Sequence, residues 1–336
     1  MNPVAAAIAG LAERIADLSG RLGRRVEIDP AAVADRRPYM ALAAPGIWSP
    51  NRACRMVRAA DGWMAVNLPR ESDLWMTPAW IGCRLDADPW PAIVRRARRR
   101  SWRDLVDGAT LLGLPVCGVG ETPVPSGDGC LRLASGVRQR GRQVRVLDLS
   151  GLWAGPLCGA VLARAGCEVT KIESPNRPDV LRESAPAMFG DLNGGKSALQ
   201  LDFRDPEGRA RLREMFARAD VVITSARPRA FEQLGLTPEM VFPDNPGLVW
   251  VAVTGHGWTG PGALRVAFGD DAAAAGGLVR RTPRGEPRFL GDALADPLTG
   301  LFAAAAALTA LDEGGGVLVD AAMAPVCARA EAGSLS

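Results

Sequence analysis

The residues best suited to chemistry lie in Gly291-Asp292-Ala293-Leu294-Ala295-Asp296-Pro297-Leu298-Thr299-Gly300-Leu301. This stretch sets one carboxylate, Asp296, at the mouth of a long apolar run, Leu301 to Leu311, with no cation beside it in sequence. Two roles suit such a group. As a helix N-cap it would accept from free backbone N–H groups and gain from the helix dipole. As a nucleophile or proton carrier it would have to be held on a rigid element. The stretch by itself leaves both open.

Several turns could build a ligand rim around that carboxylate. In Leu152-Trp153-Ala154-Gly155-Pro156 the small residues let a ligand approach the backbone, and Pro156 suits a first helical turn. Lys171-Ile172-Glu173-Ser174-Pro175 and Ser225-Ala226-Arg227-Pro228-Arg229 each close a strand-like run. Leu192-Asn193-Gly194-Gly195-Lys196-Ser197 reads as a flexible turn with a cation suited to phosphates, and Arg265-Val266-Ala267-Phe268 adds another cation. The expectation is that Lys171, Lys196, Arg227, Arg229 and Arg265 share one rim of a sheet. Each alone is more often a solvated surface charge; together they suit a polyphosphate. Gly255-His256-Gly257-Trp258-Thr259-Gly260 matches GxGxxG, but Pro261-Gly262 follows where a dinucleotide site needs a helix. His256 is therefore read as a turn residue.

The elements that must position these residues alternate. Strands are expected at 143–150, 167–173, 197–203, 220–225, 247–254 and 317–319, with helices at 155–165, 206–219, 270–278 and 297–311 and a closing helix. That rhythm makes a mostly parallel, doubly wound α/β sheet, Rossmann-like, with ligands beyond the carboxyl ends of its strands. Before it, Val4 to Leu22 reads as a helix, with a second short helix after Pro30. Cys54–Arg58 and Trp63–Leu68 flank an Asp-Gly turn and read as a hairpin; helices follow at 91–100 and 101–112, with Ser101 as cap. Residues 118–129 read as a linker. The division is a small N-terminal α+β unit at 1–125 and a ligand-binding, catalytic unit at 140–336.

Composition narrows the chemistry. With 336 residues, 48% hydrophobic, and a net charge of +3, the chain suits a soluble globule without a nucleic-acid or membrane partner. The Ala-rich start is broken by Glu13, Arg14 and Asp17 and is not read as a signal peptide. Seven cysteines without a CxxC pair read as reduced thiols of a cytoplasmic protein. A single histidine leaves almost no candidates for a Cys/His metal site or a histidine-assisted nucleophile.

Taken in order, Val146-Leu147-Asp148-Leu149-Ser150, Ala154-Gly155-Pro156, Lys171-Ile172-Glu173, Leu192-Asn193, Gly195-Lys196-Ser197, Asp205-Pro206-Glu207-Gly208, Arg227-Pro228 and Ala295-Asp296-Pro297-Leu298-Thr299-Gly300-Leu301 resemble a family III CoA-transferase. That group includes formyl-CoA transferase, carnitine CoA-transferase and alpha-methylacyl-CoA racemase. Arg58-Ala59-Ala60-Asp61-Gly62-Trp63, Trp102-Arg103-Asp104-Leu105 and Leu112-Gly113-Leu114-Pro115-Val116 resemble the family's small domain, which ordinarily comes later, so the chain looks circularly permuted.

The resemblance implies a CoA transferase with coenzyme A or acyl-CoA as substrate, a carboxylic acid as its second substrate and no metal. Asp296 matches the catalytic aspartate, which passes through an aspartyl-CoA thioester. Trp153, Ala154, Ser174, Asn193, Gly194, Lys196, Ser225, Ala226, Arg227, Gln233, Arg265, Val266, Ala267 and Phe268 match, or adjoin, CoA-contact positions. Ser174, Gly194 and Gln233 stand where an arginine is common, and no glycine-rich lid is present. The alternatives are a racemase or epimerase of the same family and a non-catalytic CoA-binding subunit. The assembly implied is a homodimer or a hetero-oligomer.

Overall fold

The computed structural model describes residues 3–135 and 141–335. Met1, Arg140 and Ser336, which bound the two expected units, lie outside the described residues. In chain order the strands are β1 Cys54–Arg58, β2 Trp63–Asn67, β3 Val116–Gly118, β4 Cys130–Arg132, β5 Arg145–Leu149, β6 Glu168–Glu173, β7 Ser197–Gln200, β8 Val221–Thr224, β9 Val249–Thr254, β10 Val279–Arg281, β11 Pro287–Phe289 and β12 Val317–Ala322.

The seven-stranded sheet has the order β4-β12-β9-β8-β5-β6-β7. Its pairings are parallel except that of the edge strand β4, which runs antiparallel to β12. The doubly wound, mostly parallel sheet expected from the alternation is therefore present. Its central strands β8 and β9 are apolar on both faces because both are covered. On β9, Val249, Val251 and Val253 enter one core while Trp250 and Ala252 enter the other. The side-chain period of two sends neighbours to opposite faces.

On the first face, helix Ala295–Asp312 lies beside helix Ala154–Arg164 and also meets the first helix, Pro3–Arg21, and the last, Met323–Glu331. It is buried almost all round, so nearly every side chain from Pro297 to Leu311 is small or apolar. A Cβ at Gly300 would come within 2.7 Å of the Ala154 carbonyl oxygen, so only glycine permits this close crossing. Helix Pro3–Arg21 buries Val4, Ala7, Ile8, Leu11 and Ile15 at helical spacing. These side chains join the core of the large sheet, so that core includes residues from the expected N-terminal unit.

The small sheet is antiparallel, β1-β2-β3, with the hairpin at the expected Asp-Gly turn. Helices Glu71–Ile81, Pro89–Ala97 and Trp102–Leu111 cover it, and Ser101 caps the last by accepting from Arg103 N–H at 3.2 Å. Several elements differ from the sequence reading. Residues after Pro30 form turns instead of a helix, and Arg36 and Tyr39 anchor that segment through side chains. Helices Glu71–Ile81 and Pro186–Asn193, edge strand β4 and the hairpin β10–β11 were not expected. No helix among the described residues is long and apolar enough to cross a membrane.

Candidate active site

Strand order reverses between β5 and β8: the chain goes from β5 outward to β6 and β7, then crosses back to β8. The crevice at the carboxyl ends of such a strand pair is where open α/β sheets take ligands. Here the two ends are tied together, Gly151 N–H donating to Ser225 Oγ at 3.0 Å. The loop from β5 into helix Ala154–Arg164 is strained and braced. Leu152 has φ 65°, a left-handed conformation uncommon for leucine, and its N–H donates to Asp179 at 3.1 Å.

Buried charges hold that loop from below. Lys171 donates to the Ser150 carbonyl and to Asp179 Oδ2 at 3.4 Å. Lys196 donates to Asp148 Oδ2 at 2.7 Å, to the Pro156 carbonyl at 2.9 Å and to Asn193 Oδ1 at 2.9 Å. The two lysine side chains are 2% and 1% exposed. Buried charges persist only when paired and hydrogen-bonded in this way.

Asp296 stands in the first turn of helix Ala295–Asp312, inside the helix and not at its N-cap, which is Leu294. The Ala154 N–H, at the start of the neighbouring helix, lies near enough to its carboxylate to favour the ionised form. A Cβ on Gly269 would lie 2.0 Å from Asp296 Oδ2 and 2.6 Å from the Ala293 carbonyl, so glycine is required there. The peptide leading into Asp296 is also strained: Ala293 has φ 44°, and its N–H donates to Asp270 Oδ1 at 2.7 Å.

Around Asp296 gathers a cluster of carboxylates with one cation. Arg36 Nε donates to Asp292 Oδ2 at 2.6 Å, and its guanidinium carbon lies 5.1 Å from the centroid of the Trp153 ring. Asn51 Nδ2 donates to Asp270 Oδ2 at 2.8 Å, and Asn67 Nδ2 donates to Asp271 Oδ1 at 2.7 Å. Burial pushes the Asp296 carboxyl up to about 7, with the Arg36 charge opposing and those of Asp270 and Asp292 reinforcing. Burial, then the charge of Asp292, raises Asp270 to about 6; burial raises Asp271 to about 7. Asp296 keeps a partly accessible face, while the protein around it desolvates the carboxyl.

The structure brings some expected residues together and separates others. Trp153 and Ala154 adjoin Asp296, and Ser225 adjoins the β5 loop. Exposed Arg227 donates to the Leu264 carbonyl at 3.2 Å, which sets Ala226–Arg227 beside the Arg265–Phe268 segment. That segment leads into helix Gly269–Ala275. Lys171 and Lys196 depart from the expected cationic rim: both ammonium groups point inward, and their donors are taken by the acceptors named above. Asn193 is likewise buried, its amide donating to the Phe189 carbonyl at 3.1 Å. Arg265 is turned toward the small unit, donating to the Val116 carbonyl at 3.2 Å and pairing with Glu121. Ser174 is partly buried, while Gly194, Gln233 and Arg229 face solvent.

The GxGxxG stretch ends in a short 3-10 turn, Pro261–Leu264, and not in the α-helix a dinucleotide site needs. His256 within it is pushed down to about 3 by burial and by Arg265. The sequence reading missed Arg36, Asp270 and Asp271 and passed over Asp292. The paired Asp270-Asp271 beside an apolar run was the one available signal. Two surface hollows, about 340 and 80 Å3, border the amino ends of the strands, away from Asp296.

Comparison with known proteins adds an independent observation. Residues 142–335 match the family described as CoA-transferase family III. A succinyl-CoA–D-citramalate CoA-transferase of Chloroflexus aurantiacus is 36% identical over 190 residues, covering 53% of this chain and 47% of that protein. The beta subunit of a succinyl-CoA–L-malate CoA-transferase from the same organism is 34% identical over 194 residues, 54% of this chain and 48% of that one. A solved CAIB/BAIF family protein from Brucella suis superposes with a TM-score of 0.51 at 34% identity, covering 55% of this chain and 53% of that one. The chain thus spans about half the length of the curated relatives it matches.

Proposed function

The chain belongs to CoA-transferase family III, and we propose that it moves coenzyme A between carboxylic acids with Asp296 as nucleophile. The observation that carries this reading is the setting of Asp296. One carboxylate, desolvated but partly accessible, is fixed in the first turn of a buried helix near the crevice where the strand order reverses. A carboxylate held this way is a better nucleophile than a hydrated one, and its position is set before the substrate arrives.

In the proposed reaction a carboxylate oxygen of Asp296 attacks the thioester carbonyl of an acyl-CoA. The C–S bond breaks, giving a mixed anhydride and CoA thiolate. The thiolate then attacks the aspartyl carbonyl of the anhydride and releases the first acid, leaving Asp296 as a CoA thioester. An incoming carboxylate reverses these steps and departs as the new acyl-CoA. One thioester is exchanged for another, so no external energy source is required. The relatives named above act on succinyl-CoA and dicarboxylic hydroxy acids, which makes succinyl-CoA the first donor to try.

Exposed Arg227, with Ser225, Ala226 and the Val266–Phe268 segment, is the proposed rim for the CoA moiety. The unit order is proposed to be a circular permutation of the family arrangement. A homodimer is the proposed assembly, with a hetero-oligomer the alternative because one relative is a beta subunit. The test is mass spectrometry of the protein incubated with succinyl-CoA. A CoA adduct on the peptide carrying Asp296 supports the reading; no adduct and no exchange over a panel of acids overturns it.

A further inference from the structure

The geometry points to Arg36 as the residue that receives the carboxylate of the acceptor acid once Asp296 carries CoA. This rests on the transferase reading above. Arg36 comes from the segment before β1, outside the family-matched residues. Its side chain is 13% exposed and is held from two sides, by the ion pair to Asp292 and by the face of Trp153. Both of those residues lie beside Asp296: Asp292 in the strained turn leading into it, and Trp153 next to Ala154, whose N–H favours its ionised form.

One guanidinium nitrogen, Arg36 NH2, is buried and has no hydrogen-bond partner. A sealed donor without an acceptor is costly, so it favours the arrival of an anion. The reaction itself creates the vacancy. While Asp296 is ionised, Arg36 faces the charges of Asp292, Asp296 and Asp270. When Asp296 becomes a neutral thioester, one negative charge beside Arg36 disappears. A carboxylate placed there restores the balance and stands next to the aspartyl carbonyl it must attack. Its oxygen forms the bond to that carbonyl carbon, the C–S bond breaks, and the electron pair leaves on the CoA thiolate. A phosphate of CoA has no comparable claim, because Arg36 adjoins the reacting carboxylate and not the exposed end of β8.

The experiment uses succinyl-CoA as donor and isotopically labelled succinate as acceptor. Arg36→Lys keeps the charge and loses the fork. Arg36→Met with Asp292→Asn removes both members of the ion pair, so that no buried charge is stranded. Both variants are expected to reach the CoA adduct from succinyl-CoA, the double variant more slowly, because formation is the reverse of discharge by succinate. Discharge of that adduct by succinate should fall roughly 30-fold or more in the double variant, with a raised KM for the acid. Discharge of the preformed adduct by hydroxylamine, a neutral nucleophile, should stay near the wild-type rate. Equal loss with both nucleophiles, or an unchanged KM for succinate, would overturn the assignment of Arg36. A wild-type protein that forms no adduct would overturn the transferase reading itself, and the inference with it.

Discussion

Asp270 accepts the backbone N–H of Ala293 at 2.7 Å, three residues ahead of Asp296. The bond fixes the one left-handed residue in the turn that delivers Asp296, where Ala293 has φ 44°. Asp270 is thus a positioning residue. Asp270→Ala leaves a buried N–H unsatisfied and should cost about 1–3 kcal/mol of stability. Asp270→Asn keeps an acceptor and should cost less. Urea unfolding of the two variants measures the difference, and equal losses would count against the role.

Asp296→Ala should abolish CoA exchange while leaving CoA binding within a few-fold of wild type. Calorimetric titration with CoA and an exchange assay read the two effects separately. Turnover retained in this variant would exclude Asp296 as nucleophile.

The pH profile should rise through about 7, since Asp296 attacks only when ionised and burial holds its carboxyl near that value. Asp292→Asn removes a negative charge that raises Asp296 and frees Arg36 to act on it. Both effects move the limb in the same direction, to lower pH. A limb that shifts upward, measured from kcat against pH, would contradict the cluster as described.

Asp271 is raised from 3.8 to about 7, chiefly by burial, and its Oδ2 has no partner. The folded state therefore favours the protonated acid. The stability tied to this group is complete below pH about 4 and is lost as pH rises through about 7. Asp271→Asn retains an acceptor for Asn67 and Phe268 N–H, so it should be near neutral at pH 5. At pH 8 it should stabilise by on the order of 2 kcal/mol. Thermal unfolding at the two pH values tests this, and a variant equally destabilised at both would sink it.

Gly269→Ala should lower both activity and stability. The added methyl meets Asp296 Oδ2, which can turn aside, and the Ala293 carbonyl and Cβ, which move only if the backbone shifts. A loss of about 100-fold in kcat is expected from a displacement of that size. Activity near wild type would mean that Asp296 tolerates other orientations.

Much of the sheet was legible because each strand is a short apolar run between helix-forming segments, as Val249–Thr254 and Val221–Thr224 are. The start of the Asp296 helix was legible from the same kind of contrast. Helix Glu71–Ile81 was not, since it contains Pro78 and leaves Leu74, Trp75 and Met76 exposed, which erases an apolar stripe. Arg36 was invisible because its partner lies 256 positions away and only the finished fold joins them. Lys196 was misread for the converse reason. In sequence it sits in a glycine-rich turn, while its counter-ion, Asp148, is 48 positions earlier on β5. Side-chain charge shows where an ion is, not which way it faces.

Lys171 and Lys196 are the only lysines in the chain. Because both ammonium groups are enclosed, an amine-reactive ester should leave these side chains untouched in the folded protein. Modification at either, mapped by peptide, would then serve as a clock for the opening of the β5–β6–β7 half of the sheet. It would also make immobilisation through lysine unsuitable for binding measurements on this protein.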